Sequence, residues 1–235
     1  MIPEASVRRH ANRWKVLFVS FLVAGLLGAA AWVLLGSRLL VVRHVEVAGT
    51  HLLSNDRVVA IGRVHLGLPM IRLDTGAVRD RVEGIQQVES ARVELRWPGT
   101  VRILVVERTP VVVVARAGQF DEMDRFGVTV LTVGTAPSGL PTLVVADPGP
   151  ADPATGAALA AWRSLPDRLT RRLTAIEAPT VESITLRLSG GKSVVWGAPE
   201  RAAEKIRLVD ALLSTPAGRA ARTIDVSSPE VVTTQ

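Results

Sequence analysis

The sequence predicts an α+β protein: one N-terminal transmembrane helix, then a small β-α-α-β-β domain, then a C-terminal mixed β-sheet domain with packed helices. Three observations predict it. An uncharged apolar run fills residues 16–35. Strand-period alternation on both sides of Pro98-Gly99 marks a hairpin. Ala202, Ile206, Val209 and Leu213 recur at helical spacing near the C-terminus, which places them on one face. The expected segments are a basic tail at 1–15, the span at 16–36, a first domain at 40–109 and a second at 110–235.

Within the run from Val16 to Leu35 the only polar side chain is Ser20. At about 1.5 Å of rise per residue, about 20 such residues cross a hydrocarbon core of about 30 Å. Trp14 and Trp32 stand near the two interfaces, where indoles prefer to lie. Arg8, Arg9, Arg13 and Lys15 precede the run, while Arg38 and Arg43 follow it. The positive-inside rule then puts the N-terminus in the cytoplasm and everything from about Arg38 outside, a single-pass type II plasma-membrane protein. A cleaved signal peptide is the rival reading, because Ala29-Ala30-Ala31 could pass for a cleavage motif. Trp32-Val33-Leu34-Leu35 continues the apolar run past it, which favours an uncleaved anchor.

The 235 residues include no cysteine, so the outer region must be held by its apolar core rather than by disulfides. The formal charge is +6, and setting aside Glu4 and the four cations of the tail lowers it to +3. Arginines and acids alternate through the remainder. No basic stripe with stacking aromatics is present, and there is no Tyr, which argues against nucleic acid as a partner.

After the span, Val41 to Val47 reads as a strand ended by Gly49. Ser54 is placed to cap a short helix through Val58 and Ile61, closed by Gly62. Asp74 is placed to cap a second through Val78, Val82 and Ile85. Val88 to Trp97 alternates, with Ala91, Val93, Leu95 and Trp97 on one face, so Trp97 is expected in the core. Pro98-Gly99 fits the centre of a type II turn, and Val101 to Val106 returns as the partner strand. One sheet carrying two helices on one face can bury a single core.

In the second domain, Val111 to Ala115 is an apolar strand. Phe120 and Met123 lead to a turn at Arg125-Phe126-Gly127, and Val128 to Val133 returns. Ala154 to Leu165 is an alanine-rich helix after a Pro/Gly/Asp-rich loop. Ser183 to Leu188 and Ser193 to Trp196 make a hairpin around Gly190-Gly191. Pro199 is expected as the first residue of the long helix, with Glu200 and Glu204 near its positive end. Thr223 to Val226 and Val231 to Thr234 form a last hairpin around Ser227-Ser228-Pro229.

Several runs of this sequence resemble a POTRA (polypeptide-transport-associated) domain: Val45-Glu46-Val47-Ala48-Gly49, Leu73-Asp74-Thr75, Arg96-Trp97-Pro98-Gly99-Thr100-Val101 and Glu107-Arg108-Thr109-Pro110-Val111. More narrowly, they resemble that of the FtsQ/DivIB cell-division family. Met123-Asp124-Arg125-Phe126-Gly127-Val128, Trp196-Gly197 with Pro199-Glu200, and Ile224-Asp225-Val226 resemble that family's second domain. The weakest stretch lies between Gly134 and Thr174. The resemblance implies a non-catalytic divisome scaffold concentrated at the septum. Its partners would be FtsB and FtsL and, through them, the septal peptidoglycan synthases FtsW and FtsI. A membrane-anchored POTRA protein of polypeptide translocation is the alternative. That class normally carries several POTRA units or a barrel of many alternating strands, and this chain shows neither.

No residue pattern demands catalysis, a cofactor, a metal or a small-molecule substrate. Gly190-Gly191-Lys192-Ser193 echoes a phosphate loop, but Leu186 stands where that loop needs glycine and a strand follows instead of a helix. Asp121, Glu122 and Asp124 lack calcium-loop spacing and read as a solvated hairpin edge. His44, His51 and His65 lack the close pairing of a zinc site, and His10 lies across the membrane from them.

The partner site is expected at the C-terminal strand, Val231, Val232, Thr233 and Thr234, because the last strand of consecutive hairpins tends to be an edge. The resemblance implies the same, a segment of FtsB adding as a strand near this terminus, with Thr223 among the partner-binding residues. Arg201, Lys205 and Arg222 are expected to offer charge to an acidic partner.

Overall fold

The computed structural model describes residues 7–36, 40–228 and 233–234. Helix α1 (Val7–Gly36) is continuous, and its stretch Trp14–Trp32 is long and apolar enough to cross a membrane, with a mean hydropathy of 1.9. None of that stretch is buried by protein, as a helix solvated by lipid requires. The chain divides into two compact units, Met1–Glu107 and Arg108–Gln235.

The first unit continues with β1 (His44–Ala48), α2 (Asn55–Gly62), a 3-10 turn (Met70–Arg72), α3 (Thr75–Glu83), β2 (Val88–Arg96) and β3 (Thr100–Glu107). The strand order is β1-β3-β2, with β1 parallel and β2 antiparallel to β3. Val58, Val78 and Val82 bury the apolar stripes of the two helices against Ile103 and Val105 of the sheet. Both expected caps form: the Ser54 hydroxyl accepts from Arg57 N at 3.4 Å and the Asp74 carboxylate from Ala77 N at 2.9 Å. Gly49 has φ +90°, and a Cβ there would stand 2.0 Å from the Val105 carbonyl oxygen, so only glycine fits. Glu107 closes the unit, its carboxylate accepting from Leu52 N at 2.8 Å and Leu53 N at 2.9 Å.

Four expectations for this unit are corrected. The strand begins at His44; Val41 makes an isolated bridge to Pro69 instead. The left-handed residue that ends α2 is Arg63, φ 50°, and not Gly62, which is buried against Val78, Val82 and Ile103. The Trp97–Pro98 peptide is cis and Gly99 has no positive φ, so the turn is not type II. Gly99 serves close approach: a Cβ there would stand 2.9 Å from the Val41 carbonyl oxygen. Trp97 itself is 51% exposed, because β2 ends at Arg96 and the alternation runs out into the turn. Trp97→Ala is therefore expected to cost well under the about 3–5 kcal/mol of a core tryptophan. Thermal unfolding of the purified variant checks this, and a loss in the core range would contradict it.

The second unit contains β4 (Pro110–Arg116), β5 (Gln119–Asp124), β6 (Thr129–Val133), β7 (Thr142–Val144), α4 (Pro153–Ser164), α5 (Asp167–Thr170) and β8 (Leu173–Glu177). It continues with β9 (Ile184–Leu188), β10 (Lys192–Gly197), α6 (Ala202–Ser214), α7 (Pro216–Ala220), β11 (Thr223–Asp225) and β12 (Thr233–Thr234). These strands form one mixed nine-stranded sheet in the order β12-β11-β10-β9-β8-β7-β4-β5-β6. Leu159 of α4 and Val209 of α6 join Leu143, Ile176, Leu186, Trp196 and Ile224 of the sheet in one core. Asp152 caps α4, accepting from Thr155 N at 2.8 Å.

Two acids and a proline depart from expectation. Asp124 is buried rather than solvated: it pairs with Arg108 Nη1 at 2.6 Å and accepts from Phe126 N at 2.8 Å and Val128 N at 2.9 Å. Helix α6 starts at Ala202, and its cap Arg201 is left-handed at φ 56°, so Pro199 and Glu200 lie before the helix.

Candidate functional site

The C-terminal edge is built outward from β10. β11 runs parallel to β10, with Ser193 opposite Thr223 and Val195 opposite Asp225. Ile224 is fully buried and Val226 follows it into the core, which fixes β11 in register. The Asp225 carboxylate accepts from Ser227 N at 2.9 Å, an Asx turn that starts the reversal. β12 then pairs antiparallel with β11, Thr234 opposite Ile224 and Thr233 opposite Asp225. Among the described residues β12 has β11 as its one neighbour and is an edge of the sheet. An edge strand presents a row of backbone donors and acceptors to another chain.

The corner between β10 and α6 supports the far end of β11. Gly197 has φ +71°, and a Cβ there would stand 2.8 Å from Ser227 Cβ. Lys205 fixes this corner from inside. Its side chain is buried, Nζ donates to the Ala198 carbonyl at 2.6 Å, and it lies 5.6 Å from the Trp196 ring centroid. Burial pushes the ammonium below the usual lysine range, Glu200 opposing and Arg201 reinforcing that shift. The expectation that Lys205 offers charge to a partner is thus corrected, since the ammonium points into the fold.

Arg201 is exposed and pairs with Glu204 at 2.7 Å. Arg222 is exposed at the start of β11, the end toward which β12 runs. Arg222 thus stands beside β11, while Arg201 stands at the start of α6. Thr233 and Thr234 pair with Asp225 and Ile224, next to Thr223 at the start of β11; Val231 and Val232 lie outside the described residues.

The Gly190-Gly191 turn is a hairpin tip, both glycines at positive φ and β10 following. Its neighbour Lys192 is occupied in tying down α7: Nζ donates to the carbonyls of Arg219 and Ala221, each at 2.6 Å.

Two family models match this chain, one described as a POTRA domain of FtsQ type over residues 40–108, the other as the C-terminal region of the cell division protein FtsQ/DivIB over residues 112–227. The chain belongs to the FtsQ/DivIB family of cell division proteins. A cell division protein FtsQ of Mycolicibacterium smegmatis is 40% identical over 98% of this chain and 68% of its own length. Its counterpart in Mycobacteroides abscessus is 40% identical over 96% of this chain and 73% of its own length, and that of Streptomyces bingchenggensis is 34% identical over 96% and 88%. The major extracytoplasmic domain of the cell division protein DivIB from Geobacillus stearothermophilus aligns over 54% of this chain and 98% of its own at 19% identity and a TM-score of 0.34.

Proposed function

We propose that this chain is an essential-type scaffold of the bacterial divisome. It is anchored through α1 with its basic tail in the cytoplasm and both folded units outside, linking early and late components at the septum. Its direct partners are FtsB and FtsL, and through them it helps control septal peptidoglycan synthesis by FtsW and FtsI. It works by binding and not by catalysis, on neither nucleic acid nor a small-molecule substrate.

The observation that carries this reading is the position of β12. It is a two-residue strand at an open sheet edge, paired among the described residues with β11 alone. A strand from FtsB can add there, extending the ladder by main-chain hydrogen bonds of about 0.5–1.5 kcal/mol each, so several are needed. Exposed Arg222 stands at one end of that edge for an acidic partner residue, and exposed Arg201 at the start of α6 is a second candidate.

Thr233→Pro tests it. Proline removes one backbone donor from the edge and leaves the core untouched. Partner binding, measured by titration with an FtsB segment, is expected to fall at least about tenfold, which is about 1.4 kcal/mol. The melting temperature is expected to stay unchanged. Unchanged binding by Thr233→Pro and by truncation after Pro229, both folded, would place the partner elsewhere.

A further inference from the structure

The first unit has two poles, the two ends of a sheet in which β3 lies between β1, parallel to it, and β2, antiparallel to it. One pole holds Gly49 to Leu53 and Glu107, joined by the Leu52–Glu107 hydrogen bonds. The other holds the residues that follow α1. There Val42 N donates to the Leu68 carbonyl and Gly67 N to the Val42 carbonyl, while Arg43 N and His44 N both donate to the Gly99 carbonyl. The 65–72 loop and the 97–99 turn therefore flank the segment 41–43 on its two sides.

This second pole carries exposed apolar side chains that the core does not need. Leu66 is 67% exposed, Trp97 51% and Ile71 50%. It also carries one sign of charge. No Asp or Glu occurs in 40–45, 63–73 or 95–100, whereas Arg63, Arg72 and Arg96 occur there and are exposed. Chain length limits where this pole can be. α1 ends at Gly36, and five residues at no more than about 3.6 Å each bring Val41 within about 18 Å of that end. The Trp97 turn, touching Val41 and Arg43 through Gly99, shares that tether.

We propose that this pole rests on the membrane that α1 spans. Trp97, Leu66 and Ile71 enter the boundary between headgroups and acyl chains, and Arg63, Arg72 and Arg96 lie against anionic phospholipid headgroups. Tryptophan favours that boundary for its apolar ring and polar N–H, and neighbouring arginines add attraction to anionic lipid. The proposal rests on the reading of α1 as a membrane anchor. It gives the exposed tryptophan a role that core packing does not.

The chain has no cysteine, so one introduced thiol is unique. Full-length Trp97→Cys, Leu66→Cys, Leu52→Cys and Leu22→Cys variants would each be labelled with a polarity-sensitive fluorophore. They would be reconstituted in phosphatidylcholine–phosphatidylglycerol vesicles with and without spin-labelled lipid. Labels at Trp97 and Leu66 are expected to lose more than about half of their emission to the spin-labelled lipid, as residues in the interface do. The label at Leu52, on the opposite pole, is expected to be quenched by aqueous iodide instead. If Leu22 is quenched by lipid while Trp97 and Leu66 behave like Leu52, the pole does not touch the membrane and the proposal falls, the anchor standing. If Leu22 escapes lipid quenching, the anchor reading falls and the proposal with it. Labels at Trp97 and Leu66 shielded from both iodide and lipid would show that a protein covers this face, which also overturns it.

Discussion

Trp196→Ala is expected to destabilise the second unit by about 3–5 kcal/mol. Trp196 is fully buried at the end of β10, among Val209 of α6 and Ile224 and Val226 of the C-terminal edge. Removing the indole leaves a cavity where the sheet, the helix and the edge strand meet. It also takes away the ring beside the Lys205 ammonium, which donates to the Ala198 carbonyl. A buried cation that loses a favourable neighbour adds to the cost of the cavity. The same cavity lies beneath β11, so partner affinity should fall along with stability. Trp196→Phe, which keeps much of the volume, should recover most of both. Urea unfolding checks this, and a loss under about 1 kcal/mol would contradict the core assignment.

Asp124→Ala is expected to cost about 3–5 kcal/mol, because it breaks a buried ion pair and orphans two backbone donors at once. The Asp124 side chain is 1% exposed and Arg108 18%, so the pair is largely withdrawn from water. The carboxylate also holds Phe126 N and Val128 N, which shape the β5–β6 turn. Asp124→Asn keeps an acceptor but not the charge, and should lose about 1–3 kcal/mol. Both losses should change little between low and high salt, unlike those of the exposed Arg79–Asp80 pair. A strong salt dependence for Asp124→Ala would show that water reaches the pair.

Where the fold was legible in the sequence, the signal was local. Ser54 and Asp74 announce their helices because a cap acts within three residues. The β2–β3 and β9–β10 hairpins show in alternation around glycine-bearing turns. β7 and β8 do not show, because β7 is three residues long and pairs in parallel with strands far along the chain. Trp97 misleads because alternation continues one residue past the strand, where about half of the side chain stays uncovered. The start of α6 misleads because Gly197 and the buried Lys205 hold the corner in a path that delays the helix to Ala202. The edge position of β12 follows from its being the last hairpin, and is legible. Lys205 is not: a lysine on a helix reads as solvated, and only the packed Trp196 and Ala198 show that it faces inward.

The proposed strand addition at β12 has a built-in competitor in the other edge of the sheet, β6. Amide hydrogen exchange of the full chain, with and without an FtsB segment, separates them. Protection is expected to rise in the peptide covering residues 229–235, with β6 unchanged. Protection that rises at Thr129–Val133 instead, or at neither edge while the segment binds, would contradict the account.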